Sequence, residues 1–107
     1  MSDAPFETLA ETEIGFLAER IEDALGDIVD VEYHMDVLTL ELEDGAQYVI
    51  NRQTPMKQIW LSSPVSGAWH YGRDEQGVWR ATRGGKSLRQ LLREELTERL
   101  DRPLELE

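Results

Sequence analysis

The chain opens with apolar residues at the spacing of an amphipathic helix. They are Phe6, Leu9, Ala10, Ile14, Leu17, Ala18, Ile21 and Leu25. Steps of three and four residues place these side chains on one face, which predicts a helix over residues 5–25. Pro5 suits the first turn, Asp3 can help to cap it, and Gly26 is placed to end it.

After Gly26 the apolar period changes from about 3.6 to about 2, which is typical of strands with one buried face. The inward positions are Val31, Tyr33, Leu38, Leu40 and Leu42, and they alternate with polar residues. Asp44-Gly45 signals a tight hairpin into a third strand at about residues 46–52. Three more short strands follow over residues 58–62, 68–71 and 78–82, separated by Pro, Gly and Ser, so the middle of the chain is predicted to be an antiparallel meander.

A second helix is predicted after the strands. Ser87, followed three residues later by Gln90, has the pattern of a capping box. The apolar stripe of this helix is Leu88, Leu91, Leu92, Leu96 and Leu100. Pro103 is expected to end the helix, and Leu104 and Leu106 to fold back over an edge of the core. Because each helix has one apolar stripe, the predicted fold is α+β, with two helices packed on one face of an antiparallel sheet of about six strands.

Length and composition limit the possible classes of protein. With 107 residues, of which 40% are hydrophobic, the chain can form one core, so we expect a single domain over residues 1–107. The absence of cysteine excludes disulfides and thiolate ligands, and any metal must be bound by oxygen or nitrogen. No apolar run is long enough to span a membrane, and residues 1–5 lack a signal-peptide pattern, which favours the cytoplasm.

Charge is unevenly distributed along the chain. The net charge is -11, and residues 1–50 hold 14 of the 22 acidic residues with Arg20 as the one basic residue. Such a field repels nucleic acids and anionic membranes, and it attracts cations or a basic protein surface. A surface that only confers solubility is the alternative reading.

Eight carboxylates are expected to face water along the first helix and first strand, and we call this set the acidic ridge. Its members are Glu7, Glu11, Glu19, Glu22, Asp23, Asp27, Asp30 and Glu32. Glu22, Asp23 and Asp27 oppose the partial negative charge of a helix C-terminus, which suggests a site retained at some cost to stability. All members except Glu7 are our candidate metal ligands.

The chemistry of the acidic ridge favours weak binding of hard cations. Exposed carboxylates suit iron, manganese, calcium or magnesium and select poorly among them. His34 lies beside these acids, but a single exposed histidine is more often incidental. A paired-carboxylate hydrolase would need one carboxyl group buried in a cleft, whereas these acids are expected on a convex helix.

The face of the sheet away from the helices is predicted to carry a second site. Alternation in the third and fourth strands places Asn51, Gln53, Gln58 and Trp60 on that face, and His70 points the same way. An aromatic side chain within a polar rim is typical of a protein interface. Trp79, by contrast, is expected in the core.

The run YVINRQTPMKQIWLSSP at residues 48–64 resembles the most distinctive stretch of the frataxin family. Further matches at Phe6-Glu7, Val37-Leu38-Thr39, residues 77–79 and Ser87-Leu88 extend the resemblance over nearly the whole chain. The start at Met1 and the short length are similar to the bacterial, CyaY-type branch, which implies a cytoplasmic protein. Frataxins have two helices on one face of an antiparallel sheet, the same architecture that periodicity predicts.

The resemblance implies a function. Frataxins bind ferrous and ferric iron weakly through acids at positions that match Glu11, Glu19, Glu22, Asp23 and Asp30. They also dock on the cysteine desulfurase and scaffold of iron-sulfur cluster assembly, where Asn51, Gln53, Gln58 and Trp60 carry over. The expected protein is therefore a monomeric, non-enzymatic iron donor or regulator that can oligomerise with iron.

Two alternatives stay open from the sequence. The first is a metal-independent acidic regulator or inhibitor that caps a basic partner surface. The second is a ferroxidase with weak activity, as in some family members. The absence of a Glu-x-x-His pair, which is typical of buried di-iron sites, speaks against the second.

Overall fold

A computed structural model describes residues 4–106 and arranges them as a helix, six strands and a second helix. The elements are α1 (Ala4–Leu25), β1 (Val29–His34), β2 (Val37–Leu42), β3 (Gln47–Gln53), β4 (Gln58–Ser63), β5 (Gly67–Arg73), β6 (Trp79–Ala81) and α2 (Leu88–Leu100). Every predicted element is present, with its bounds shifted by a few residues at most. The predicted cap at Asp3 lies outside the described residues.

The six strands form one antiparallel sheet in chain order, because each is joined to the next by a short turn. Leu40 pairs with Tyr48 between β2 and β3, and Ile59 pairs with Tyr71 between β4 and β5. All four side chains are fully buried on the same face. A register slip of one residue would expose them, so the alternating pattern fixes the pairing.

The core lies between this face and the two helices, and the other face of the sheet is open. The buried side chains of the helices are Ala10, Ile14, Leu17, Ile21 and Leu25 from α1, and Leu88, Leu91, Leu92 and Leu96 from α2. Burial of one leucine contributes roughly 1.5–3 kcal/mol. The predicted α+β architecture is confirmed.

The two ends of α2 differ in how well they were predicted. Ser87 is the N-cap, and its hydroxyl accepts a hydrogen bond from the backbone N–H of Gln90 at 3.0 Å. The amide of Gln90 donates to Glu94 instead of reaching back, so only half of the capping box forms. The predicted end at Pro103 is wrong, because Asp101 takes a left-handed conformation (φ 53°) and ends the helix at Leu100.

The chain after α2 returns to the core as predicted, since Leu104 and Leu106 are both buried. Trp79 is also buried, and its ring meets Phe6 edge-on. The prediction for Tyr33 is wrong, because 41% of this residue is exposed. β1 lies at the edge of the sheet, so a side chain near its end is covered from one side only.

Candidate functional site

The acidic ridge follows α1 and continues around the edge of the sheet onto β1. Its exposed members are Glu11, Glu19, Glu22, Asp23, Asp27, Asp30 and Glu32, whereas Glu7 is half-buried. Val29 is buried against the helices, and side chains alternate along a strand, so Asp30 and Glu32 point to the open face. The ridge therefore has two rows of carboxylates, one on the helix layer and one on the open face, with the outer edge of β1 between them.

The two rows lie side by side because a short turn joins the end of α1 to the start of β1, and the two elements run in opposite directions. Residues at equal distances from this turn are therefore neighbours. Glu19 is six residues before the end of α1, about 9 Å along the helix. Glu32 is three residues after the start of β1, about 10 Å along the strand. Both rows therefore contribute to one negative field at this edge of the molecule.

The carboxylates of the ridge are dispersed. Among residues 4–106, no three His, Asp or Glu side chains come together as a group that could hold a metal ion. An ion bound to the ridge would have one or two carboxylate ligands and would keep water in its remaining positions. This arrangement fits hard cations bound weakly.

Arg52 of β3 offsets part of the negative charge at the end of the ridge that lies near the start of α1. Its guanidinium lies 2.9 Å from the carboxylate of Asp36, 3.8 Å from Glu7 and 3.7 Å from Glu11. Only 20% of the Arg52 side chain is exposed. A cation at Glu11 would therefore compete with a positive charge that belongs to the protein itself.

Arg102 performs a similar role at the other end of α1. It donates two hydrogen bonds of 3.1 Å to Asp27 and one of 3.0 Å to the backbone carbonyl of Ala24. The hydrogen bonds from Arg102 lower the pKa of Asp27. Arg102 thus supplies the positive charge that α1 lacks in its own last turn, and the acids there oppose the helix dipole less than the sequence suggested.

The predicted partner residues come together on the open face. Asn51, Trp60 and His70 are direct neighbours across β3, β4 and β5. The Trp60 and His70 rings stack with 4.2 Å between centroids and an interplanar angle of 12°. The indole N–H of Trp60 donates to the side-chain oxygen of Gln58 at 2.8 Å, which fixes the ring in the plane of the patch.

The remaining predicted partner residue, Gln53, pairs with Gln58 across β3 and β4. We call the set Asn51, Gln53, Gln58, Trp60 and His70 the tryptophan patch, and all five side chains are half-buried. Their hydrogen-bonding groups lie around an aromatic surface held in one orientation. Such a patch can bind another protein with little loss of side-chain entropy.

Sequence reasoning missed a partly buried ion pair between the two helices. Glu13 of α1 accepts hydrogen bonds of 2.8 and 2.7 Å from Arg89 of α2, and its side chain is 7% exposed. Arg89 also lies over the ring of Phe16 at 4.2 Å. A signal was present, because Glu13 lies three residues after Ala10 and four before Leu17, on the apolar stripe of α1.

Sequence reasoning also missed a carboxylate that α2 points toward the sheet. Glu95 accepts hydrogen bonds from the hydroxyls of Tyr48 (2.9 Å), Ser63 (2.6 Å) and Ser66. Burial, with a smaller contribution from Glu95, raises the pKa of Tyr48. Glu95 follows Leu91 by four residues, so it too lies on an apolar stripe. These hydrogen bonds link α2 to the turn between β4 and β5, and they lie apart from the acidic ridge and the tryptophan patch.

No helix among residues 4–106 is both long and apolar enough to cross a membrane.

Comparison with known proteins gives similarity over nearly the whole chain. Residues 1–102 match the frataxin-like domain. The chain is 40% identical over 112 residues to mitochondrial frataxin of Arabidopsis thaliana, which covers 99% of this chain but only 59% of that protein. It is 36% identical over 105 residues to the iron-sulfur cluster assembly protein CyaY of Vibrio cholerae, covering 98% of both.

Solved structures agree with the sequence similarity. The frataxin of Psychromonas ingrahamii superposes with a TM-score of 0.88 at 29% identity, over 100% of this chain and 99% of that one. A trimeric frataxin from the yeast Saccharomyces cerevisiae, complexed with ferrous iron, superposes with a TM-score of 0.76 at 36% identity. That match covers 88% of this chain and 87% of the yeast chain.

Proposed function

Because this chain belongs to the frataxin family, we propose that it is an iron-binding protein of iron-sulfur cluster assembly. The observation that carries the proposal is the two-rowed acidic ridge at one edge of the molecule. Its exposed carboxylates Glu19, Glu22, Asp23, Asp30 and Glu32 are the set we assign to weak iron binding. The yeast relative complexed with ferrous iron supports the choice of metal.

An anaerobic titration of ferrous iron into the ¹⁵N-labelled protein tests this assignment. We expect broadening of backbone amide signals confined to residues 11–32, and less effect from magnesium at the same concentration. A triple variant, Glu19→Gln with Glu22→Gln and Asp23→Asn, should lose most of the response. The matched control replaces three exposed carboxylates elsewhere by glutamine, namely Glu75, Glu94 and Glu98. If both variants lose the iron-induced broadening equally, the response depends on net charge alone, which would contradict a specific iron site on the ridge.

We also propose that the protein docks on the cysteine desulfurase and scaffold complex, with the ridge facing a basic surface and the tryptophan patch facing the scaffold. The rigid Trp60 ring would be the anchor of the second contact. Trp60→Ala should weaken scaffold binding by tenfold or more, at roughly 2 kcal/mol for a central aromatic anchor. Val65→Ser, which changes an exposed apolar residue outside the patch, should leave binding unchanged.

Iron donation and allosteric regulation predict different results in one assay. Desulfurase activity is measured with and without the protein, each in the presence and absence of ferrous iron. A regulator changes sulfide production equally in both conditions, whereas an iron donor acts only when iron is present.

A metal-independent acidic regulator is the second candidate function. It is favoured by the arginines that already pair with Glu11 and Asp27, and by the dispersed arrangement of the ridge carboxylates. This function predicts partner binding that weakens steeply with salt and is unaffected by chelators. Binding that depends on iron at constant ionic strength would reject it.

Three further expectations complete the proposal. We infer that residues 1–107 act as one domain in the bacterial cytoplasm. A single unfolding transition, seen by both fluorescence and circular dichroism, is the test of the single domain. We assign no enzymatic step to the chain, so aerobic oxidation of ferrous iron should proceed at the uncatalysed rate. Sedimentation with and without iron tests whether the monomer assembles when iron is added.

A further inference from the structure

Among residues 4–106, β1 pairs with β2 alone, so its outer edge is an unpaired side of the sheet. All six residues of β1 are in continuous register without a bulge. The strand contains no proline. Regular edge strands of this kind offer backbone groups to another strand unless something blocks them.

The hairpin geometry identifies the outward backbone groups. His34 pairs with Val37 across a two-residue turn in which Met35 and Asp36 both have positive φ, 51° and 66°. In such a turn the carbonyl of the first flanking residue bonds to the N–H of the second, so the backbone of His34 points to β2. Antiparallel pairing alternates, so N–H and C=O point outward at every second residue. Val29 is buried, so the accessible outward groups are those of Val31 and Tyr33.

The side chains at this edge set the chemistry of a possible partner. Asp30 and Glu32 are exposed on the open face, where they would repel the same acids of a second copy of this chain. On the helix side, Val31 is half-buried and Tyr33 is 41% exposed, so apolar surface remains uncovered there. The edge is therefore negative on one face and apolar on the other.

We propose that the outer edge of β1 binds an extended segment of a partner protein by strand addition, and that this segment alternates basic and apolar residues. Lysine or arginine side chains would lie beside Asp30 and Glu32, and the apolar side chains between them would cover Val31 and Tyr33. The inference rests on the docking part of the proposed function, because both carboxylates belong to the acidic ridge. It adds the binding mode and the sequence pattern of the partner segment.

Amide hydrogen exchange in the full ¹⁵N-labelled chain tests the inference. The probe is a short capped peptide that alternates lysine and valine. The control peptide has the same composition, with its lysines in one block and its valines in another. At a concentration about ten times its Kd, the alternating peptide should slow exchange at Val31 and Tyr33 by about tenfold, and the block peptide should not.

Variants separate strand addition from attraction by charge alone. Asp30→Asn with Glu32→Gln should abolish the protection, whereas Glu75→Gln with Glu98→Gln, which removes equal charge from other exposed sites, should leave it intact. Equal binding of both peptides without slowed exchange would overturn the inference and leave charge docking in place. Slowed exchange that rises with protein concentration without peptide would assign the edge to a second copy and also overturn it. The iron titration reads different signals, so failure here is distinguishable from failure of the proposed iron site.

Discussion

Removing the arginine of the Glu13–Arg89 pair should destabilise the protein more than any comparable change at its surface. Glu13 is 7% exposed and holds Arg89 through two hydrogen bonds, so Arg89→Met leaves a buried carboxylate without its partner. Breaking a fully buried pair costs about 3–5 kcal/mol. Because Arg89 is 39% exposed and water can reach this side of the pair, we expect about 2–3 kcal/mol.

A double-mutant cycle isolates the pair itself. Glu13→Met should cost about 1 kcal/mol, because the remaining Arg89 keeps solvent and its contact with Phe16. The double variant should lie within about 1 kcal/mol of wild type, since neither charge is then buried. These values imply a coupling energy of about 2–4 kcal/mol, measurable by urea unfolding followed through tryptophan fluorescence.

The exposed Lys86–Glu94 pair is the matched control. Its side chains are 52% and 41% exposed, and it bridges nearby positions at the start of α2 with a distance of 2.6 Å. A surface pair of this kind contributes about 0.2–1 kcal/mol. If the Glu13–Arg89 cycle yields no more coupling energy than this pair, burial of Glu13 does not control the energetics and our reasoning is refuted.

Three further predictions concern the helix ends and can be checked by the same unfolding measurements. Ser87→Ala should lower the free energy of unfolding by about 1 kcal/mol through loss of the α2 cap, with Ser87→Gly costing less. Asp101→Gly should raise the free energy of unfolding by about 1 kcal/mol, because glycine accepts the left-handed conformation and a negative charge is removed from the C-terminus of α2. A loss of stability would contradict this prediction. Since Arg102 lowers the pKa of Asp27 below its ordinary 3.8, the stability from that pair is present above this pH and is lost as pH falls through the folded pKa. The difference between wild type and Arg102→Met should therefore narrow in acid, and a difference that stays constant with pH would exclude this linkage.

The fold was predictable because its signals are local. Alternation at Leu38, Leu40 and Leu42 assigned a buried face to β2, and the Asp44-Gly45 turn fixed the next hairpin. The tryptophan patch followed from the same rule, since the positions between the buried ones must lie on the other face. The family resemblance, carried by residues 48–64, is confirmed over nearly the whole chain.

Contacts between distant residues were not predictable. Arg52 reaches Glu7 and Glu11 from β3, and Arg102 reaches Asp27 from the far end of the chain. No spacing rule links such positions. The sequence analysis therefore overestimated how much of the ridge's negative charge lacks a neighbouring positive charge. Glu13 is different, because a carboxylate on an apolar stripe indicates that it is buried and must have a charged partner. The sequence does not identify that partner as Arg89.

The arginine contacts divide the candidate metal ligands into two groups. A cation at Glu11 or Asp27 competes with a guanidinium. The other candidate ligands are exposed, namely Glu19, Glu22, Asp23, Asp30 and Glu32. Asp30 and Glu32, which flank the outer edge of β1, are therefore among the members with the least competition. If iron and a basic strand both bind there, they share the carboxylates of Asp30 and Glu32, and each must weaken the other by the same factor. Binding of the partner would then favour release of iron from this edge, which would couple docking to iron transfer without any change in the fold.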